Sequence, residues 1–207
     1  MARELLWLDL EMTGLNSNYH DIVEIATVIT DAYLEVIAEG PDLIVHAHAT
    51  VITDAHLEVI AEGPDLIVHA HEERLERMGD YVHEMHQRSG LLDEIRASEL
   101  TLAEAEEQTL SFIDSHLPQD YRPPMCGNSI GTDRRFLEVQ MPKLENRCHY
   151  RVVDVSSIKE LAWRWYPKAM KQAPSKLEAH RARGDILESI AELKFYRTQF
   201  MQPPERA

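Results

Sequence analysis

Two carboxylates one residue apart, Asp9 and Glu11, interrupt an otherwise apolar run, Leu5-Leu6-Trp7-Leu8-Asp9-Leu10-Glu11-Met12, which ends at Thr13-Gly14-Leu15. Side chains alternate along a strand, so both acids point the same way. Two ionised carboxylates facing one buried direction repel each other and lose hydration, an unfavourable state unless a cation or protons offset it. A divalent metal is the simplest offset; the alternative is a strand that frays at Asp9 and leaves both acids in water. Two further places offer compatible groups: Asp133 behind the permissive stretch Gly127-Asn128-Ser129-Ile130-Gly131-Thr132, and His180 with Asp185 in His180-Arg181-Ala182-Arg183-Gly184-Asp185. Both read as helix starts, where the dipole favours an acid, although an ordinary acidic cap has the same look. Asp9, Glu11, Asp133 and Asp185 are hard oxygen donors, and with one imidazole, His180, they suit magnesium or manganese better than zinc. Strand ends and helix starts are where open α/β sheets gather their sites.

The elements that must carry these groups read as α/β. Leu5 to Leu10 has the continuous apolar character of a strand covered on both faces. A polar turn follows, and β-branched Ile22 to Thr30 reads as a second strand joined to the first as a hairpin. Residues 34–39 continue the chain, and Gly40-Pro41 introduces a further strand, 43–48. From Glu72 the pattern turns helical, with short helices over Glu72 to Met78 and Val82 to Arg88, the second broken at Ser89-Gly90. Thr101 with Glu104 forms a capping box that opens a helix over Leu102 to His116. Beyond it come a short strand over Met125 to Asn128, a helix over about Asp133 to Met141 and a strand over Tyr150 to Val155. Ser156 then caps a helix carrying Leu161, Trp163 and Trp165, the tryptophans serving packing or subunit contacts. A long amphipathic helix with Ile186, Ile190 and Leu193 inward closes the chain and stops before Pro203-Pro204.

Residues 26–48 recur at once as residues 49–71 with a single difference, Tyr33 against His56. Two copies are too few for a solenoid, so one strand-turn-strand unit is surplus to a single domain spanning 1–207. The surplus unit is expected at a sheet edge, where added strands pair without disturbing the core. The repeat also doubles a His-x-His pattern, His46 and His48, then His69 and His71; each pair shares a strand face, and the four read either as solvated edge histidines or as a zinc or copper site.

A chain of 207 residues with 44% hydrophobic side chains can bury a sizeable core. A net charge of −15 repels polyanions and leaves no broad basic stripe for a long duplex, although a short polyanion drawn to bound metal and local arginines remains compatible. No stretch has the length or apolarity of a membrane span, and Cys126 and Cys148, without CxxC spacing, read as reduced thiols of a cytoplasmic protein.

Four segments together resemble oligoribonuclease, a member of the DEDDh 3′ to 5′ exonucleases with a ribonuclease H-like fold. They are Trp7-Leu8-Asp9-Leu10-Glu11-Met12-Thr13-Gly14-Leu15, Cys126 to Phe136, His149-Tyr150-Arg151-Val152-Val153-Asp154-Val155-Ser156 and His180 to Ile186. The resemblance covers essentially the whole chain apart from one repeat unit. It implies a mixed sheet flanked by helices, and two divalent ions, Mg2+ or Mn2+, held by Asp9, Glu11, Asp133 and Asp185. It makes His180 the general base for hydrolysis of very short RNA, dinucleotides above all, to nucleoside 5′-monophosphates. It further implies that Leu15 wedges between two bases and that Tyr81 stacks on a base where the family usually has tryptophan. Ser129, Arg151, Ser156 and Ser157 would grip the 5′ phosphate, and Tyr150 would reach that cap from the other subunit of a homodimer. Arg183 and Gly184 depart from the family, which has an apolar residue followed by an acidic one there. Two other readings stay open: a DEDDh exonuclease acting on longer single strands, such as a proofreading subunit, and a binding module or scaffold that has lost catalysis.

Overall fold

Leu6, Leu8 and Leu10 project to one side of the first strand and Trp7 to the other, and all four are buried. Burial of each such side chain is worth about 1.5–3 kcal/mol, so a strand apolar on both faces is driven to the middle of a sheet. The computed structural model, which describes residues 4–30, 61–62, 65–174 and 181–201, places it there. The strands are β1 (Leu5–Met12), β2 (Ile22–Thr30), β3 (Ala61–Glu62), β4 (Leu66–Ile67), β5 (Pro124–Gly127) and β6 (His149–Asp154). The helices are α1 (Glu72–Leu75), α2 (Asp80–Ser89), α3 (Leu91–Ala97), α4 (Leu102–His116), α5 (Gly131–Gln140), α6 (Pro142–Arg147), α7 (Val155–Trp165), α8 (Pro167–Met170) and α9 (Ala182–Phe200).

The sheet is mixed, in the order β3-β2-β1-β5-β6, with β4 also on β2. The β1–β2 hairpin is antiparallel, Asp9 opposite Ala26 and Glu11 opposite Glu24, while β5 and β6 join parallel. One face packs on α4, α5 and α6 through Ala105, Ile113, Phe136, Leu137 and Leu144. The other packs on α7 and α9 through Val155, Ala162, Ile186, Ile190 and Tyr196. A smaller cluster of Val23, Leu75, Met78, Leu91, Leu92 and Ile95 seats α1 and α3 beside β2. Gly127 lets β5 approach β1 closely, because a Cβ there would sit 2.8 Å from the Leu8 carbonyl oxygen.

Most expected elements form where the sequence places them. The Thr101–Glu104 capping box is present in both directions, and Gly90 ends α2 in the left-handed conformation at φ 81°. Three details differ. The first short helix stops at Leu75, after which Arg77 and Met78 continue as tight turns bonded to Arg74 and Leu75. The N-cap of α7 is Asp154, whose carboxylate accepts from the Ser156 N–H, so Ser156 is a donor to the cap and not the cap itself. The third difference is a set of short helices, α3, α6 and α8, which the apolar pattern did not signal; α3 packs Leu91, Leu92 and Ile95 inward.

The described residues of the repeat enter three strands. Ala26 to Thr30 of the first copy complete β2, whereas β3 and β4 lie in the second copy and pair back onto β2, Val28 with Glu62 and Ile25 with Leu66. The expected strands at 34–39 and 43–48, the Tyr33/His56 difference and the packing of the surplus unit lie outside the described residues.

Candidate active site

Asp9 and Glu11 lie inside β1, which continues to Met12, so the strand does not fray at Asp9. Both point to the Trp7 face, toward the start of α9, and there they meet Asp185 in that helix's first turn. One carboxylate oxygen from each of Asp9, Glu11 and Asp185 lies within 4.8 Å of the others. Asp133, in the first turn of α5, reaches the same end of β1, where its Oδ1 accepts from the Leu10 N–H at 3.2 Å. Four acids distant in sequence thus gather at the end of β1 and the beginnings of α5 and α9.

Among the described residues, negative charge dominates the site. Burial, then Asp133, Asp185, Glu11 and Glu24, push the Asp9 carboxyl well above the carboxylate range. Burial, then Glu24, Asp185 and Asp133, push Glu11 up to about 8, with Arg181 acting in the opposite direction. Asp133 rises to about 7, again by burial, with the hydrogen bond from the Leu10 backbone holding it down. Crowded, desolvated carboxylates of this kind hold protons or a cation. The donor set, all carboxylate oxygen, fits a hard divalent ion such as Mg2+ or Mn2+.

His180 lies outside the described residues, immediately before the point where the chain enters α9 through Arg181 and Ala182. The remaining expected residues form two groups. Leu15, in the turn after β1, and Tyr81, in the first turn of α2, are large apolar side chains left 78% and 69% exposed. Ser129, Ser156 and Ser157 gather around Asp154 at the end of β6. Asp154 Oδ1 accepts from the Ser129 and Ser156 N–H groups, the Ser129 and Ser156 hydroxyls lie 3.2 Å apart, and the Ser157 hydroxyl donates to Asp154 Oδ2. Ser129 holds a left-handed φ of 55°, a conformation few non-glycine residues adopt. Arg151 is folded over its neighbour, its Nε donating to the Tyr150 hydroxyl at 3.1 Å, and Tyr150 is 72% exposed on β6. His69 and His71 are exposed with ring nitrogens 3.4 Å apart, whereas His46 and His48 lie outside the described residues.

Several residues around the site escaped the sequence reading. His86, fully buried on α2, donates from Nε2 to the Met12 carbonyl at 3.0 Å, and its Nδ1 lies 3.9 Å from Glu11 Oε2. Glu24 is sealed from solvent and bound by Arg181. Behind Ser129, Asn128 donates to Ser189 and Glu192 of α9, and Glu192 also meets Lys159 and the Tyr196 hydroxyl. For His86 the available signal is spacing, since it lies four residues after Val82 and so on the apolar face of α2. For Glu24 the signal was an acid inside the apolar run Ile22 to Ile29, the same pattern that marks Asp9 and Glu11.

Comparison with known proteins agrees with this geometry. The family model described as Exonuclease matches residues 6–50 and 48–193, its two pieces meeting at the join between the repeat copies. The chain is 47% identical to an oligoribonuclease of Corynebacterium glutamicum, the match covering 95% of this chain and 79% of that protein. It is 44% identical to an oligoribonuclease of Rhodococcus jostii, over 99% of this chain and 92% of the relative. Among solved structures, Escherichia coli exonuclease I bound to a 5cy-dA13 oligonucleotide superposes with a TM-score of 0.63 at 14% identity, over 96% of this chain and 41% of that one. Its zinc-bound single-stranded DNA complex gives 0.67 at 12% identity, over 97% and 41%. The chain therefore spans about two fifths of those nucleases, and the likeness is one of fold, the ribonuclease H-like mixed sheet with flanking helices. With its exonuclease domain and close relatives over nearly its whole length, the chain belongs to the oligoribonuclease family of exoribonucleases.

Proposed function

We propose that the protein is a 3′ to 5′ exoribonuclease that hydrolyses very short RNA, dinucleotides in particular, to nucleoside 5′-monophosphates. The observation that carries this reading is the convergence of Asp9, Glu11 and Asp185 within 4.8 Å, with Asp133 bonded to Leu10 beside them. These four residues would hold two ions, Mg2+ or Mn2+. Bound there, such a pair would supply positive charge to polarise the phosphodiester during its hydrolysis. His180 accepts the proton from the attacking water, a role an imidazole fills near neutral pH.

The rest of the site selects length. Leu15 and Tyr81 offer exposed apolar surface for two bases, and an aromatic face under a base is worth about 1–3 kcal/mol. The hydroxyls of Ser129, Ser156 and Ser157, joined by the Arg151 guanidinium once it swings from Tyr150, bind a terminal 5′ phosphate. Such a cap closes the slot to longer chains. A net charge of −15 supports the same choice, since a closed two-nucleotide slot needs no extended basic track. In a homodimer, Tyr150, exposed on β6, reaches the cap of the opposite subunit. The chain acts as a single exonuclease domain. No described helix is long and apolar enough to cross a membrane, and the protein acts in the cytoplasm.

The test is to incubate the protein with a 5′-labelled diribonucleotide and a 5′-labelled 20-mer, with magnesium or with chelator. Rapid magnesium-dependent cleavage of the dinucleotide is the expected result. Preference for the 20-mer would instead mark an exonuclease for long single strands, and binding without turnover a module that has lost catalysis.

A further inference from the structure

Asn128, between β5 and α5, bridges α7 and α9 with the two ends of its amide. Its Nδ2 donates to Ser189 Oγ at 2.7 Å and to Glu192 Oε2 at 3.2 Å, both on α9. Its Oδ1 accepts from the Ser156 hydroxyl at 3.0 Å, at the start of α7. Glu192 sets this orientation. The other oxygen of its buried carboxylate meets Lys159 and the Tyr196 hydroxyl, each at 2.7 Å; burial acts to raise its pKa, but these bonds hold it below the usual glutamate value. An ionised carboxylate only accepts hydrogen bonds, so it takes the amide nitrogen and turns Oδ1 toward Ser156. Ser189 Oγ in turn donates to the Asp185 carbonyl at 2.7 Å. The bonds therefore run unbroken from the Ser129 and Ser156 hydroxyls, through Asn128 and Ser189, to the backbone of Asp185, whose carboxylate stands with those of Asp9 and Glu11.

The same link steadies the backbone from which Ser129 projects. Ser129 keeps a φ of 55° with its N–H on Asp154 Oδ1, and Asn128 immediately before it is tied to α9. A left-handed conformation at a non-glycine residue persists only where its surroundings fix it. We propose that Asn128 is a positioning residue that sets the span between the 5′-phosphate cap and the acids at the end of β1, and so helps decide which chain length fits. This rests on the reading of Ser129 and Ser156 as phosphate ligands. A 5′-phosphorylated dinucleotide carries that phosphate at one distance from its single internucleotide phosphodiester, and hydroxyls fixed relative to Asp185 match that distance and not a longer one. When the phosphate arrives, the Ser156 proton turns from Asn128 to a phosphate oxygen by rotation about Cβ–Oγ, with the oxygen already in place. Order established before binding lowers the cost of binding.

The experiment compares N128A and S189A with the parent on a 5′-phosphorylated diribonucleotide, the same dinucleotide with a 5′ hydroxyl, and a 5′-phosphorylated 5-mer, alongside calorimetric binding of both dinucleotides in chelator. N128A should raise KM for the phosphorylated dinucleotide by about tenfold with kcat within about threefold, and leave KM for the 5′-hydroxyl dinucleotide within about twofold. Its affinity for the phosphorylated dinucleotide in chelator, and its preference for that dinucleotide over the 5-mer, should fall by a similar factor. S189A, which cuts the link to Asp185, should show the same pattern at about fivefold, and it carries the test if N128A fails to fold. On an S156A background N128A should have a much smaller effect, because one hydroxyl it positions is gone. The inference is overturned if N128A stays within about twofold of the parent on every measure, or if both dinucleotides lose equally, which would mark a purely structural role. An S189A indistinguishable from the parent beside an impaired N128A would overturn the span to Asp185. A parent that neither binds nor cleaves the phosphorylated dinucleotide better than the 5′-hydroxyl one would overturn the cap reading itself and this inference with it. A parent that does discriminate, beside an N128A that discriminates equally, would overturn this inference alone.

Discussion

Glu11 and Glu24 face each other across the β1–β2 hairpin as Cα partners, and both are withdrawn from solvent, yet their surroundings are opposite. Glu24 is met on both oxygens, by the Arg181 guanidinium and the Ala182 N–H. Glu11 sits among Asp9, Asp133 and Asp185, with a carboxyl pushed up to about 8. A buried carboxylate that the chain compensates with its own cation is part of the scaffold. One left among like charges is held ready for a cation from outside. The two environments, one residue pair apart, separate what holds the fold from what performs the chemistry.

The sharpest way to break that contrast is to neutralise each side in turn. D9N or D185N should lower dinucleotide cleavage by at least about a thousandfold, while leaving the unfolding midpoint of the metal-free protein unchanged or raised, since like-charge repulsion is relieved. Steady-state kinetics beside thermal unfolding in chelator checks both halves. Replacing Glu24 should do the reverse in kind: E24A leaves the Arg181 Nε and the buried Ala182 N–H without their partner and is expected to cost about 1–3 kcal/mol in urea unfolding. If E24A were as stable as the parent, the division between scaffold and chemistry would fail.

Proton linkage sharpens the same comparison. Glu11 at about 8 and Asp133 at about 7 bind protons more tightly folded than unfolded. The stability they lend the metal-free protein is therefore full below the ordinary carboxylate range and is lost as pH rises through those folded values. Unfolding midpoints measured in chelator should fall from about pH 4 to about pH 8, and the gain on adding magnesium should grow over the same interval by several degrees. Removal of residues 31–53, which leaves every described element and the bonds to Glu24 in place, should leave cleavage of the dinucleotide unchanged. The smallest effect is expected at Gly184, where a Cβ would meet nothing within 4 Å in the first turn of α9. G184A should stabilise by about 0.5–1 kcal/mol in denaturant titration, with Glu24 and Glu11 both untouched.

What could be read from the chain and what could not divides along the same lines. Asp9 and Glu11 were legible because period-2 alternation inside an apolar strand is a local signal, and the Thr101–Glu104 box because it spans three residues. Asp133 and Asp185 were legible as acids at helix starts, and the resemblance assembled them with Asp9. The pairing of Arg181 with Glu24 was not, since the two lie 157 positions apart and nothing local to either names the other. Nor was the short α3, whose apolar residues serve a small satellite cluster with too few turns to show a period. The α7 cap was misplaced by two residues because Asp154 and Ser156 are both competent caps, and only the backbone geometry selects between them.

The repeat enters the sheet as the outgoing strand of one copy and the returning strands of the other, so the edge of β2 is completed once however many units lie between. Polymer statistics make such an expansion inexpensive. Relative to a single copy, in which Ala38 would stand where Ala61 now does, the span joining β2 to β3 is about fourfold longer, and even a wholly flexible span would add only ~1.2 kcal/mol of closure entropy at ~0.6 per doubling. Twenty-three added residues taken up between β2 and β3 thus leave β3 and β4 paired with β2, and the margin of the sheet is where this chain accommodates added length at small cost.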